Sequence, residues 1–181
     1  MKEKAFWIFL LVAAAGAIGA RLLPHPPNFA AIGALALFAG VYAPRGARWA
    51  VFAPLGAMFA SDLLLGFDEV RVTLFVYGSF LLYGLLGMLA GTYKGAWGKI
   101  SACLGGSLSF FVITNWAVWA FSSLYSHTAS GLLLSYGMAL PFFKYTLLGD
   151  MFFSAVLFGA YYLVLKLLPQ KGIFKTTSVE F

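Results

Sequence analysis

Eight residues of a strongly apolar chain carry groups suited to holding a polar solute: Arg21, His25, Asn28, Asp62, Asn115, Trp116, Lys144 and Asp150. Their chemistry is recognition rather than bond-making. An arginine presents a planar fork of donors to an anion, a lysine a compact charge, a carboxylate only acceptors, and an amide both donor and acceptor in one place. Trp116 adds a flat apolar wall beside the Asn115 amide. Asp62 is the most telling member. It falls near the C-terminal end of an expected helix, where the macrodipole disfavours an anion, so a cation or several donors must stand near it, and Arg21 and Lys144 are the candidates. A structural ion pair pinning two helices is the competing reading of Asp62. Asp150 also has a second explanation, because Thr146 is placed to cap the last helix and a carboxylate in a first turn is stabilised by about 0.3–1 kcal/mol. For Asn115 the alternative to a ligand contact is an interhelical hydrogen bond, and for Trp119 it is a place in the interfacial aromatic belt.

The same residues argue against catalysis. Ser107 follows Gly106 but lacks a G-x-S-x-G elbow and is expected far from His25 and His127. No phosphate-binding G-x-x-x-x-G-K-[ST] loop occurs, so any ATP use belongs to a partner. The histidines have neither H-x-x-x-H nor H-E-x-x-H spacing, and Cys103 stands alone, so no metal site, cofactor or enzyme is expected. The formal charge of +6 comes from Lys and Arg scattered in short loops and tails, without the basic stripe of a nucleic-acid binder.

The elements that must position these groups are membrane helices. Of 181 residues, 62% are hydrophobic and 10% charged, against roughly 25% charged in an average soluble domain. The expected fold is an all-α, single-domain bundle embedded in the lipid bilayer, with six spans at about 5–20, 26–43, 49–66, 73–91, 100–124 and 146–168. The second span requires Pro26 and Pro27 to open it. The stretch 132–145, "LLLSYGMALPFFKY", holds Gly137 and Pro141 and reads as a short re-entrant or surface segment before the last helix. Cytoplasmic termini place Lys2, Lys4, Arg45, Arg48, Lys94, Lys99, Lys166, Lys171 and Lys175 inside and leave Arg21, Arg71 and Lys144 outside, as the positive-inside tendency asks. With that orientation the eight polar residues converge on the outer side. The first segment also resembles a signal peptide, with two lysines before its apolar run. Its pairs Ala13–Ala17, Ala15–Gly19 and Gly16–Ala20 instead suit a retained helix packing against another, inside the bundle or on a partner, with Ala13, Gly16, Ala17 and Ala20 as the interface.

The stretches "RLLPHPPNFAAIGALALFAG", "APLGAMFASDLLLGF", "SFFVITNWAVW" and "ALPFFKYTLLGDMFFSAVLFG" resemble a bacterial family of small uncharacterised membrane proteins described as transport proteins, over roughly Arg21 to Gly159. In architecture the chain also resembles the substrate-binding S components of energy-coupling factor (ECF) vitamin transporters. That likeness implies capture of a vitamin-like micronutrient in an outward-facing pocket, capped by loops at 21–25, 67–72 and 125–145. It further implies association with a transmembrane coupling subunit carrying ATPases, through Ala13 and Ala17, in the bacterial inner membrane. A proton-coupled secondary carrier using Asp62 or Asp150, or a membrane scaffold or assembly protein, are the alternatives.

Overall fold

A computed structural model describes residues 1–67, 69–93 and 95–168. Six α-helices account for most of them: α1 (Lys2–Leu22), α2 (Ile32–Tyr42), α3 (Ala53–Leu65), α4 (Val70–Ala90), α5 (Trp97–Phe121) and α6 (Ala129–Leu167). A 3-10 stretch, Arg45–Phe52, leads into α3, and there is no strand among the described residues. Five helical segments, with the 3-10 stretch and α3 taken together, are long and apolar enough to cross a membrane. The chain is a multi-pass membrane protein. Lys94, Lys171 and Lys175 lie outside the described residues.

α1 and α3 run in the same direction. Trp7 stacks on Trp49 at one end, with ring centroids 4.8 Å apart, and Arg21 pairs with Asp62 at the other. Those two ends are called here the tryptophan end and the arginine end.

α2 departs from the expected span at 26–43. It starts at Ile32 and has 11 residues, too few to cross a membrane alone. Pro26 and Pro27 do not open it. They belong to a turn in which the Phe29 amide donates to the Pro26 carbonyl and the Ala30 amide to the Asn28 carbonyl. Asn28 takes a left-handed φ of 63°, a conformation that asparagine tolerates better than most residues with a side chain. Every residue of α2 from Ile32 to Gly40 is buried, so α2 is the axis around which the other helices pack.

Small residues make that burial possible. Between helices in lipid there is little hydrophobic gain, so association relies on close packing. A Cβ at Gly40 would overlap the Gly84 carbonyl and lie 2.9 Å from the Gly87 Cα, and one at Gly87 would strike the Leu37 carbonyl. A Cβ at Gly91 would likewise lie 2.9 Å from the Val41 carbonyl oxygen. α2 and α4 therefore touch backbone to backbone. Nearer the tryptophan end, Phe38 of α2 sits among Phe6, Phe9, Tyr42, Phe158 and Tyr161, with ring centroids 5.1–6.2 Å apart.

The stretch 132–145 is neither re-entrant nor surface-lying. It is the first part of α6, a continuous helix of 39 residues, roughly 58 Å at 1.5 Å per residue. Its cap is Thr128, whose hydroxyl accepts from the Gly131 amide at 3.1 Å. Thr146 caps nothing: its hydroxyl donates to the Phe142 carbonyl within α6. Pro141 is accommodated because a membrane helix tolerates the loss of one amide donor when its neighbours hold it. Those neighbours are on α5, where the Tyr136 hydroxyl donates to the Val112 carbonyl at 2.8 Å. The residue four back from the proline is Gly137, beside which a Cβ would meet nothing within 4 Å, so the backbone there has room to tilt. At the start of α4, Glu69 accepts from the Val72 amide and from Arg71, and the Arg71 hydrogen bond holds its carboxyl below the usual carboxylate range.

Because the α2–α4 contact leaves no room for a side chain, Gly40→Ala is expected to destabilise the protein by about 1–3 kcal/mol or more through overpacking. Gly78→Ala in α4, with nothing within 4 Å of the added methyl, is expected to be neutral or stabilising. Thermal unfolding of both variants in detergent, followed by circular dichroism, checks the contrast.

Candidate functional site

The segment 23–31 carries irregular backbone from the end of α1 to the start of α2. α2 begins beside the middle of the bundle, since a Cβ on Gly33 would contact Asp150, at the centre of α6, and the ring of Tyr83, past the midpoint of α4. Non-helical backbone at such depth is found where it is buried in protein or lines a cavity. Here it lines one. A cavity of ≈ 250 Å³ is bounded by Arg21, His25, Asn28 and Ala30 from the approach to α2 and by Ile32 and Gly33 from its first turn. Met58, Val76, Phe80, Tyr83, Phe110, Thr146 and Asp150 close the other sides. Phe29 anchors the segment by packing between Phe152 and Phe153 and against Gly149 of α6.

Two polar clusters meet this cavity. In the first, Arg21 Nη2 donates to Asp62 Oδ1 at 2.7 Å and the Tyr77 hydroxyl donates to Asp62 Oδ2 at 2.7 Å. Both carboxylate oxygens are thereby occupied, and Asp62 is not among the residues that line the cavity. Arg21 is only partly used. Its Nη1 is buried and has no hydrogen-bond partner among the described residues.

In the second cluster, Asp150 Oδ2 accepts from the Tyr83 hydroxyl and, at 2.7 Å, from the Ser107 hydroxyl. Asp150 Oδ1 lies against Gly33 in the first turn of α2. That helix start carries no side-chain cap, and the carboxylate lies beside its first turn, the end at which a helix dipole is positive. No cation pairs with Asp150 among the described residues. The expected stabilisation of Asp150 by the N-terminus of its own helix is overturned, because α6 starts at Ala129 and Asp150 lies near its centre. The helix terminus beside it belongs to α2.

Arg21, His25, Asn28 and Asp150 thus come together as site candidates. Asp62 reaches them only through Arg21, and Asn115, Trp116 and Lys144 do not join them. Asn115 Nδ2 donates to the Phe111 carbonyl one turn back. Trp116 is 39% exposed and packs edge-on against Phe75 and Phe121. Lys144 is exposed and lies over the ring of its neighbour Tyr145, 4.8 Å from the centroid, with no contact to Asp62. His127 packs edge-on against Trp119 at the α5–α6 turn. On α1, Ala17 is buried and Ala13 packs against the chain's own core, whereas Gly16 is exposed with nothing within 4 Å of an added Cβ. Ala20 is half-buried. The small residues left open on α1 are Ala15, Gly16 and Gly19.

The site residues missed in the sequence are Tyr77, Tyr83 and Ser107. A signal for them existed: Tyr77, Phe80 and Tyr83 recur every three residues, as do Ser107 and Phe110, which puts each set near one helix face.

With both oxygens of Asp62 held inside the protein, Asp62→Asn is expected to lower stability in the absence of any solute. The cost is about 3–5 kcal/mol, typical of breaking a buried pair from one side. Denaturant unfolding of the purified variant against wild type measures it, and an unchanged midpoint excludes the anchoring role.

No curated protein and no solved structure is significantly similar to this chain. A sequence family matches it over residues 1–171, nearly its whole length, and the chain belongs to that family, a family of unknown function (DUF6580).

Proposed function

We propose that the protein captures a small solute in this cavity for import, as the substrate-binding membrane subunit of an ECF-type transporter. The observation that carries the reading is the cavity at the start of α2. It joins irregular membrane-depth backbone, the orphaned Arg21 Nη1 and an Asp150 carboxylate without a cation. Discontinuous helices with an end at mid-depth are a recurrent way to build solute sites in transporters, because the helix terminus and the unwound backbone offer polar groups where lipid-facing helices have none.

In this reading the chain makes six passages. Residues 23–42 complete the second, the irregular part covering the arginine-end half and α2 the rest. The shared direction of α1 and α3 supports it, since the chain between them must return. Lys2, Lys4, Arg45, Arg48 and Lys99 gather at the tryptophan end, which supports a cytoplasmic placement of that end and of both termini in the inner membrane. The cavity then faces outward. A solute enters past His25 and Asn28, and the coupling subunit packs on the open face of α1 at Ala15, Gly16 and Gly19 rather than on Ala13 and Ala17.

A second reading is a proton-coupled carrier. It is favoured by one feature: Asp150 is hydrogen-bonded only by neutral hydroxyls, a setting in which a carboxyl can take up and release a proton. Collapsing the proton gradient stops such a carrier and leaves ATP-driven import running.

Native mass spectrometry of the purified protein tests capture directly. A small molecule is expected to co-purify with wild type and to be lost from folded Arg21→Gln; no bound molecule in either sinks the proposal. For orientation, a cysteine at Ser130 is expected to react with an impermeant maleimide from outside intact cells, and one at Arg48 only after lysis. The reverse pattern inverts the cavity.

A further inference from the structure

The cavity holds two half-satisfied groups of opposite sign. Arg21 spends Nη2 on Asp62 and leaves a buried Nη1 donor unmet. Asp150 takes two hydroxyls on Oδ2, leaves Oδ1 beside Gly33, and has no cation. An unmet buried donor is costly, and so is a carboxylate in a membrane interior without a counter-charge. One solute completes both, and balances the charge on Asp150, if it carries an acceptor for the arginine and a cationic donor for the aspartate. A solute with an anionic group alone would relieve Arg21 but bring a second negative charge near Asp150. A solute with an ammonium alone would answer Asp150 and leave Nη1 as it is.

The rest of the wall sets the body of the solute. Phe80 lies between Phe110 and Tyr83, with ring centroids 5.1 and 6.0 Å away, and Met58 and Val76 complete an apolar side. At ≈ 250 Å³ the space falls below the roughly 300–1,000 Å³ of pockets for drug-sized ligands. Polar groups fixing orientation at one side and aromatic rings at the other is the usual division in such sites.

We infer that the solute is a small zwitterion with a flat apolar body, its anionic group on the Arg21 guanidinium, its ammonium on Asp150 and its body against Phe80 and Phe110. This rests on the capture reading and narrows it to a substrate class.

The test uses three probes sharing one benzyl body: L-phenylalanine, phenylacetate with the anion alone, and phenethylamine with the cation alone. Binding to the full-length protein in detergent is measured by calorimetry. L-Phenylalanine is expected to bind about tenfold or more tighter than either single-charge probe, as one charge-assisted hydrogen bond provides. In Asp150→Asn its advantage over phenylacetate is expected to vanish, and in Arg21→Gln its advantage over phenethylamine. The wild-type comparison stands even if a variant fails to fold. Equal binding of L-phenylalanine and either single-charge probe overturns the zwitterion. If none of the three binds, the inferred class is overturned; capture survives that result if native mass spectrometry still finds a co-purified solute, and falls with it if none is found.

Discussion

A helix that begins inside a membrane protein must find partners for its first amides, and α2 is such a helix. Its start is level with the centres of α4 and α6 and has no cap of its own. The other features of the bundle gather around that start. Gly40 and Gly87 remove side chains so that α2 fits against α4 with backbones touching. Asp150 places an anion beside the first turn, and Tyr83 and Ser107, from two further helices, hold that anion in place. The Phe29 ring and the Arg21–Asp62 pair fasten the irregular approach from either side. The cavity is the space such an approach leaves, since bent backbone cannot fill volume as side chains on a helix do.

The two aspartates divide the work. Asp62 is enclosed by Arg21 and Tyr77, all three held by α1, α3 and α4, and it ties the arginine end of those helices together. Asp150 is satisfied on one oxygen only and faces the cavity. A buried pair contributes little net stability over a well-packed apolar replacement but is costly to break from one side, which suits a fixed brace. A carboxylate with open acceptor capacity suits a contact that comes and goes.

The long helices were legible from apolar length alone. The expected spans at 73–91 and 100–124 differ from α4 and α5 by one to three residues at each end, and Arg21 was one of two cations expected beside Asp62. Length failed where apolar character outlasts or precedes helix. In α2 the run extends upstream through Pro26 and Pro27, but two prolines followed by Asn28 in a left-handed conformation make a turn, and helix starts only at Ile32. In α6 the reverse held: Gly137 and Pro141 look like breakers, yet contacts to α5 carry the helix through. Misplacing that start put Asp150 near a helix terminus and hid its true neighbours. Tyr83 and Ser107 were hard to see for another reason. In an apolar helix a hydroxyl bonded to its own preceding turn has the same sequence signature as one aimed at a partner helix, and Ser107 does both.

The shortness of α2 also bears on how the chain enters the membrane. Insertion machinery releases segments to lipid by apolar length, and 11 helical residues preceded by an arginine, a histidine and three prolines do not meet that measure. α2 gains its glycine-lined berth only once α4 has arrived, and its neighbour at the N-terminus only with α6, the last helix made. α2 thus precedes in the chain the helices that complete its surroundings.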